Sequence, residues 1–112
     1  MNKRRLAGIE KEMARFISKL FYEEVKNPKI KGLVSITKVK VTEDMKFADV
    51  YVSVFNADAK EVLKGVEEVK RFLRKRVSEE MRLRYVPELR IKHDDSMEYG
   101  AKIDKILNDL KH

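Results

Sequence analysis

Residues 47–55 read FADVYVSVF. The alternation is strict: Ala48, Val50, Val52 and Val54 fall on one side of an extended chain, and Phe47, Tyr51 and Phe55 on the other. Four small aliphatic side chains in a row make a face that helices can cover, so this strand predicts a sheet with helices on one side. The aromatic row has two uses. It can serve as a base-stacking platform, or, as such rows more often do, pack across neighbouring strands; the second is the reading adopted.

Upstream, LVSITKVKVT at 33–42 is rich in β-branched residues and reads as a second strand. Val34 and Ile36 share one face whereas Val39 and Val41 share the other, so the alternation changes phase near Thr37-Lys38 and a β-bulge is expected there. The polar segment TEDMK makes the turn between the strands. Further upstream, Leu6, Ile9, Met13, Phe16, Ile17, Leu20 and Phe21 recur at three- and four-residue intervals, which predicts an amphipathic helix from about Lys3 to Val25. Asn27-Pro28 ends it and Gly32 marks a loop. Lys3, Arg4 and Arg5 at its start read as a frayed, solvated terminus.

Downstream, Asn56-Ala57-Asp58 closes the strand and offers Asp58 as a helix cap. The pattern Val62, Leu63, Val66, Val69, Phe72, Leu73, Val77, Met81 is helical from Ala59 to about Arg84. Taken straight it would span roughly 39 Å, more than the width expected of so small a domain. A kink is therefore predicted between Glu68 and Arg74, with Val62, Val66, Phe72, Leu73 and Val77 buried. Pro87 turns the chain into a third strand, Glu88 to Asp94, with Leu89 and Ile91 inward. Asp95 and Glu98 have capping-box spacing before a closing helix within residues 96–112, built on Tyr99, Ile103, Ile106, Leu107 and Leu110. The order is α-β-β-α-β-α, an α+β architecture in one domain over residues 1–112, with no internal repeat or linker.

A chain of 112 residues with 43% hydrophobic and 40% charged residues holds one modest core. Its net charge of +7 favours an anionic partner, and nucleic acid stands ahead of membrane because no segment has the apolar length of a transmembrane helix. The absence of cysteine excludes a disulfide scaffold and thiolate chemistry. MNKRRLAGIE fits neither a signal nor a transit peptide, so the cytoplasm is the expected compartment. His93 and His112 lack a neighbouring nucleophile pattern, and no glycine-rich phosphate loop is present. Asp94, Asp95 and Glu98 have a spacing better explained by helix capping than by Mg²⁺ binding. Neither an enzyme nor a cofactor is expected.

The positive charge is concentrated in KRFLRKRVSEEMRLRYVPELRI, residues 70–91. On a helix, Lys64, Arg71, Lys75 and Arg82 fall within about 40° of one another, opposite the apolar stripe, with Arg74 flanking them, while Lys70 adds charge next to Arg71 in the sequence. A rigid backbone holding several cations at fixed spacing suits a polyanion such as RNA. The same residues also suit a solvated face, on which Glu67–Arg71, Lys75–Glu79 and Arg76–Glu80 would form i,i+4 ion pairs. The stretch alone does not separate the two.

Over nearly its whole length the chain resembles the bacterial ribosome-binding factor A family. The resemblance runs through the N-terminal amphipathic helix, NPKIKGLVSITKVKVTEDMKFADVYVSVF, LKGVEEVKRFLRKRV, MRLRYVPELRIKHDDSMEYG and the closing helix. Its most specific matches are Asn27-Pro28, the run Ala48-Asp49-Val50-Tyr51-Val52-Ser53, and Leu83-Arg84-Tyr85-Val86-Pro87-Glu88-Leu89. It implies a type II KH-like fold, with a three-stranded mixed sheet covered by helices on one face and a helix-kink-helix unit in place of the interhelical GXXG loop. It also implies a non-enzymatic assembly factor that binds the small (30S) ribosomal subunit and its 16S rRNA, assists late maturation including 5′-end processing, and takes part in cold adaptation. A monomer with no membrane or small-molecule partner is expected. The family's kink often reads Ala-x-Gly; the corresponding residues here are Val69-Lys70-Arg71, which put two positive charges where the RNA-facing loop of a KH domain would lie. A permanent small basic ribosomal protein and an RNA-processing nuclease are the competing classes.

Overall fold

The structure is a computed structural model that describes residues 2–96. Helix α1 (Lys3–Glu23) is followed by β1 (Leu33–Val41), β2 (Phe47–Phe55), α2 (Ala59–Glu80) and β3 (Glu88–His93). Beyond Ser96 the expected closing helix, with Glu98 of its capping box, lies outside the described residues.

The strands form one sheet in the order β1-β2-β3, antiparallel between β1 and β2 and parallel between β2 and β3. Parallel neighbours need a long crossover, which α2 supplies. Ala48, Val50, Val52 and Val54 are buried against Leu6, Met13, Ile17 and Leu20 of α1 and Val62, Val66, Leu73 and Val77 of α2, so both helices cover the same face. The result is the expected α+β arrangement, a KH-like three-stranded mixed sheet backed by helices.

The change of phase in β1 resolves as the expected bulge. Register shifts between Ile36 and Lys38, and Thr37 is the extra residue. Val34 and Ile36 pair with Val54 and Val52, while Val39 and Val41 pair with Val50 and Ala48. The inserted residue thus returns both halves of the strand to the core face. Thr37 Oγ1 donates to Asp94 Oδ2 at 2.6 Å, tying the bulge to the end of β3.

Three expectations about the helices need correction. First, the interruption between Glu68 and Arg74 is absent: α2 is one helix of 22 residues. No glycine or proline occurs from Glu68 to Arg74, so nothing removes a donor from the hydrogen-bond ladder. The length that suggested a kink is also shorter, about 33 Å, because Met81 leaves the helix with extended backbone while its N–H caps Val77 O at 2.8 Å. Second, Phe72 is 37% exposed although Leu73 is fully buried, since one residue on a helix is a rotation of about 100° and carries Phe72 past the margin of the stripe. Third, the N-terminus is capped rather than frayed: helix α1 begins at Lys3, and the Asn2 side chain accepts from the Arg4 N–H at 2.8 Å.

Gly65 is the one glycine in α2, and it is buried rather than merely tolerated. The Asn27–Ile30 loop packs directly on it. Asn27 Oδ1 accepts from the Lys29 N–H at 2.9 Å, its amide reaches Glu68 at 3.3 Å, and Lys29 pairs with Glu68. The hydrogen bond from Lys29 holds Glu68 below the usual carboxylate range and lifts Lys29 above that of lysine.

Candidate nucleic-acid interface

On α2, Lys64, Arg71 and Lys75 project from the side opposite the buried Val62, Val66, Leu73 and Val77, as the helical phase requires. Arg82 does not share that phase, because the helix ends at Glu80; it is exposed on the following extended segment. The expected four-residue helical stripe is therefore three residues plus one beyond the cap.

Ion pairing on this face differs from the expected i,i+4 pattern. Lys64 meets Glu61 at 3.6 Å, Lys70 meets Glu67 at 2.9 Å, and Arg76 meets Glu79 at 3.5 Å, all at i,i+3. Arg76 is also drawn to Glu24 beyond the end of α1 at 3.2 Å and lies 5.8 Å from the Phe16 ring, so it joins the two helices. The Glu24 hydrogen bond raises Arg76 above its ordinary value. With Glu67 turned to Lys70 and Glu79 to Arg76, Arg71, Lys75 and Arg82 have no ion-pair partner among the described residues. These three cations are available to an outside anion.

Arg74 is committed differently. Its Nη2 donates to Val86 O at 3.0 Å and its Nε to Pro87 O at 3.3 Å, so the guanidinium fastens α2 to the start of β3. Two hollows meet at this fastening: one of about 290 Å³ lined by Arg71, Arg74, Lys75, Ser78 and Val86, and one of about 260 Å³ lined by Lys70, Arg71, Arg74, Glu88 and Leu89. Together they follow the seam between α2 and β3. Such a seam, with uncommitted cations on its rim and a fixed one at its floor, suits a phosphate backbone better than a small apolar ligand.

The face of the sheet away from the helices carries the aromatic row, and two of its three rings pack across strands, though onto cations, while Phe55 is exposed. Lys38 Nζ lies 4.5 Å from the Tyr51 ring centroid and the Arg90 guanidinium 4.4 Å from that of Phe47. Arg90 also grips Asp49 through two hydrogen bonds of 2.5 and 3.2 Å, which raise its pKa. Asp94 is occupied by Ser96 and Thr37, and no group of three or more potential metal ligands occurs among the described residues. None of the helices among the described residues is long and apolar enough to cross a membrane.

Against known proteins, the family model described as ribosome-binding factor A matches residues 5–107. The chain belongs to the ribosome-binding factor A family. A ribosome-binding factor A of Fusobacterium nucleatum is 57% identical, with 99% of each chain covered. That of Caldanaerobacter subterraneus is 38% identical over 91% of this chain and 85% of its own. Among solved structures, the crystal structure of ribosome-binding factor A from Thermus thermophilus superimposes with a TM-score of 0.69 at 21% identity, over 77% of this chain and 92% of that one. The solution structure of a Thermotoga maritima protein described as a putative ribosome-binding factor A gives 0.65 at 27% identity, over 86% and 93%. A Thermus thermophilus ribosome-binding factor A fitted into a cryo-electron-microscopy map of its complex with the 30S subunit gives 0.67 at 20% identity, over 80% and 96%. These likenesses carry the ribosome-binding factor A fold across low sequence identity.

Sequence reasoning on this member of the ribosome-binding factor A family missed the clip of Asn27, Lys29 and Glu68 over Gly65. The one signal was a glycine inside an otherwise regular apolar stripe, which states that something approaches closely without saying what.

Proposed function

We propose that the chain is a ribosome-binding factor that engages immature small ribosomal subunits through 16S rRNA and assists their late maturation, including processing of the rRNA 5′ end. The observation that carries the proposal is the pair Arg71 and Lys75, which have no ion-pair partner among the described residues and stand on the rim of the α2–β3 seam. Lys64, Lys70 and Arg82 extend the positive field on either side, and Arg74 holds the seam's geometry while adding its charge. Membership of the ribosome-binding factor A family, and the 30S complex of the Thermus thermophilus member, support a ribosomal partner. On this reading the protein works as a cytoplasmic single-domain monomer without cofactor, by binding rather than by covalent chemistry.

Co-sedimentation with small subunits tests it. The protein should pellet with particles carrying precursor 16S rRNA more than with mature ones, should be released by salt, and should be missing from translating ribosomes. Equal occupancy of translating ribosomes would instead make it a permanent ribosomal protein. Cleavage of precursor rRNA by the purified protein with Mg²⁺ would make it a nuclease.

A further inference from the structure

The outer face of α1 carries a second cationic ridge. Arg4, Lys11, Arg15 and Lys19 are all exposed, and at 100° per residue they fall within an arc of about 80° directly opposite the buried Leu6, Met13, Ile17 and Leu20. They are distributed along roughly 22 Å of helix. None has an ion-pair partner among the described residues. The acidic residues of α1 lie outside the arc: Glu12 at its margin, Glu23 further round, and Glu10 on another side, where it accepts from the Val41 N–H at 2.7 Å. A surface helix made soluble by mixed charge would intersperse acids among these cations.

Gly8 lies within the same arc and supplies an independent observation. It is exposed, and a β-carbon added there would meet nothing within 4 Å. Glycine weakens a helix interior relative to alanine, and packing among the described residues gives no reason for it here. Gly65, by contrast, has its reason in the loop packed against it. An exposed glycine between Arg4 and Lys11 lets something outside the chain approach the helix backbone closely.

We infer that the α1 ridge binds the phosphate backbone of an RNA duplex, as an interface separate from the α2–β3 seam. The inference rests on the reading of the chain as an RNA-contacting factor. A straight ridge holding cations at fixed intervals matches a rigid row of phosphates better than a flexible single strand, and the shallow minor groove of A-form RNA leaves its bordering phosphates accessible to such a ridge. Contacts of this kind position the protein without reading sequence. With the seam, the ridge makes the protein bivalent, so each weak contact raises the effective concentration of the other.

The test uses the full chain and a short RNA hairpin duplex of arbitrary sequence, with affinity measured across a range of salt. Neutralising Lys11, Arg15 and Lys19 together to glutamine should weaken binding and lower the log–log salt slope by roughly 2 to 3. Gly8→Ala should weaken binding and Gly8→Leu should weaken it more, although Gly8→Ala leaves the fold at least as stable. A control triple, K31Q/K46Q/K60Q, removes the same charge elsewhere. If it loses as much affinity as the α1 triple, net charge alone is responsible and the ridge is overturned. An α1 triple that binds like the parent, with an unchanged slope and a native circular-dichroism spectrum, also overturns it, as does equal loss of binding to poly-glutamate. R71Q/K75Q in the same assay separates the two interfaces. Loss there with none on α1 removes the ridge and keeps the seam, and the reverse removes the seam and keeps the ridge.

Discussion

The backbone of Gly65 forms the seat for Ile30: a β-carbon at Gly65 would lie 2.8 Å from Ile30 Cγ1, with Lys29 Cβ at 3.0 Å and Asn27 Oδ1 at 3.3 Å. Alanine at this position gains about 1 kcal/mol of helix propensity but overpacks a site where the nearest neighbours sit close to the backbone, at a cost of about 1–3 kcal/mol. Gly65→Ala should therefore be net destabilising in urea melts. A more stable variant would show that the Asn27–Ile30 loop lifts off α2 freely.

Leu73 and Phe72 are neighbours with opposite fates. Leu73→Ala empties a fully buried site and should cost about 2–5 kcal/mol in denaturant unfolding. Phe72→Ala, at a position 37% exposed, should cost clearly less. Equal losses would mean that Phe72 is held more tightly than its exposure states.

Arg74 and Arg71 separate in the same way on the cationic side. Removing the Arg74 guanidinium strips hydrogen bonds from Val86 O and Pro87 O, so Arg74→Ala should lower stability by about 1 kcal/mol. Arg74→Lys should recover only part of it, because one ammonium does not reproduce the planar fork. Arg71→Gln should stay within about 0.5 kcal/mol of the parent. A large effect of Arg71→Gln on unfolding would reveal a structural role for that side chain.

Asp94 sets a pH dependence. Hydrogen bonds from the Ser96 side chain, then from Thr37 and the Ser96 N–H, lower its pKa from 3.8 to about 2. A carboxyl whose folded pKa lies below its unfolded one binds fewer protons when folded, so its stabilising effect is present above about 4 and fades as pH falls towards 2. Asp94→Asn should be less stable than the parent at neutral pH, and the two should converge over that acid interval. A gap between them that stays constant from pH 7 to pH 2 would rule out the carboxylate as its source.

Much of the fold is legible in local pattern. The alternation of Ala48, Val50, Val52 and Val54 states a one-sided sheet, and the phase change at Thr37 states a bulge, because both depend only on side-chain period. What is not legible depends on competition between near neighbours. Glu67 can reach either Lys70 or Arg71, and only the folded geometry gives it to Lys70. Arg74 looks like one more exposed cation until the Val86–Pro87 carbonyls arrive beside it from 12 and 13 residues away. The expected kink is missing because length alone does not bend a helix, and this one stops at Glu80, four residues before the Arg84 limit that its apolar spacing suggests.

The extra residue at Thr37 also makes β1 sensitive to parity. With the bulge present, Leu33–Ile36 and Lys38–Val41 are held in opposite phase, and both present aliphatic side chains to the core. Removing Thr37 or Lys38 alone would bring Val34, Ile36, Val39 and Val41 into a single alternation, a regular strand that keeps all four on the core face. Removing both would place Ile36 directly before Val39, turning one half of the strand away from the core and shortening it. Loss of Thr37 or Lys38 alone should therefore survive where loss of both is rejected, so that β1 tolerates a change of one in its residue count better than a change of two.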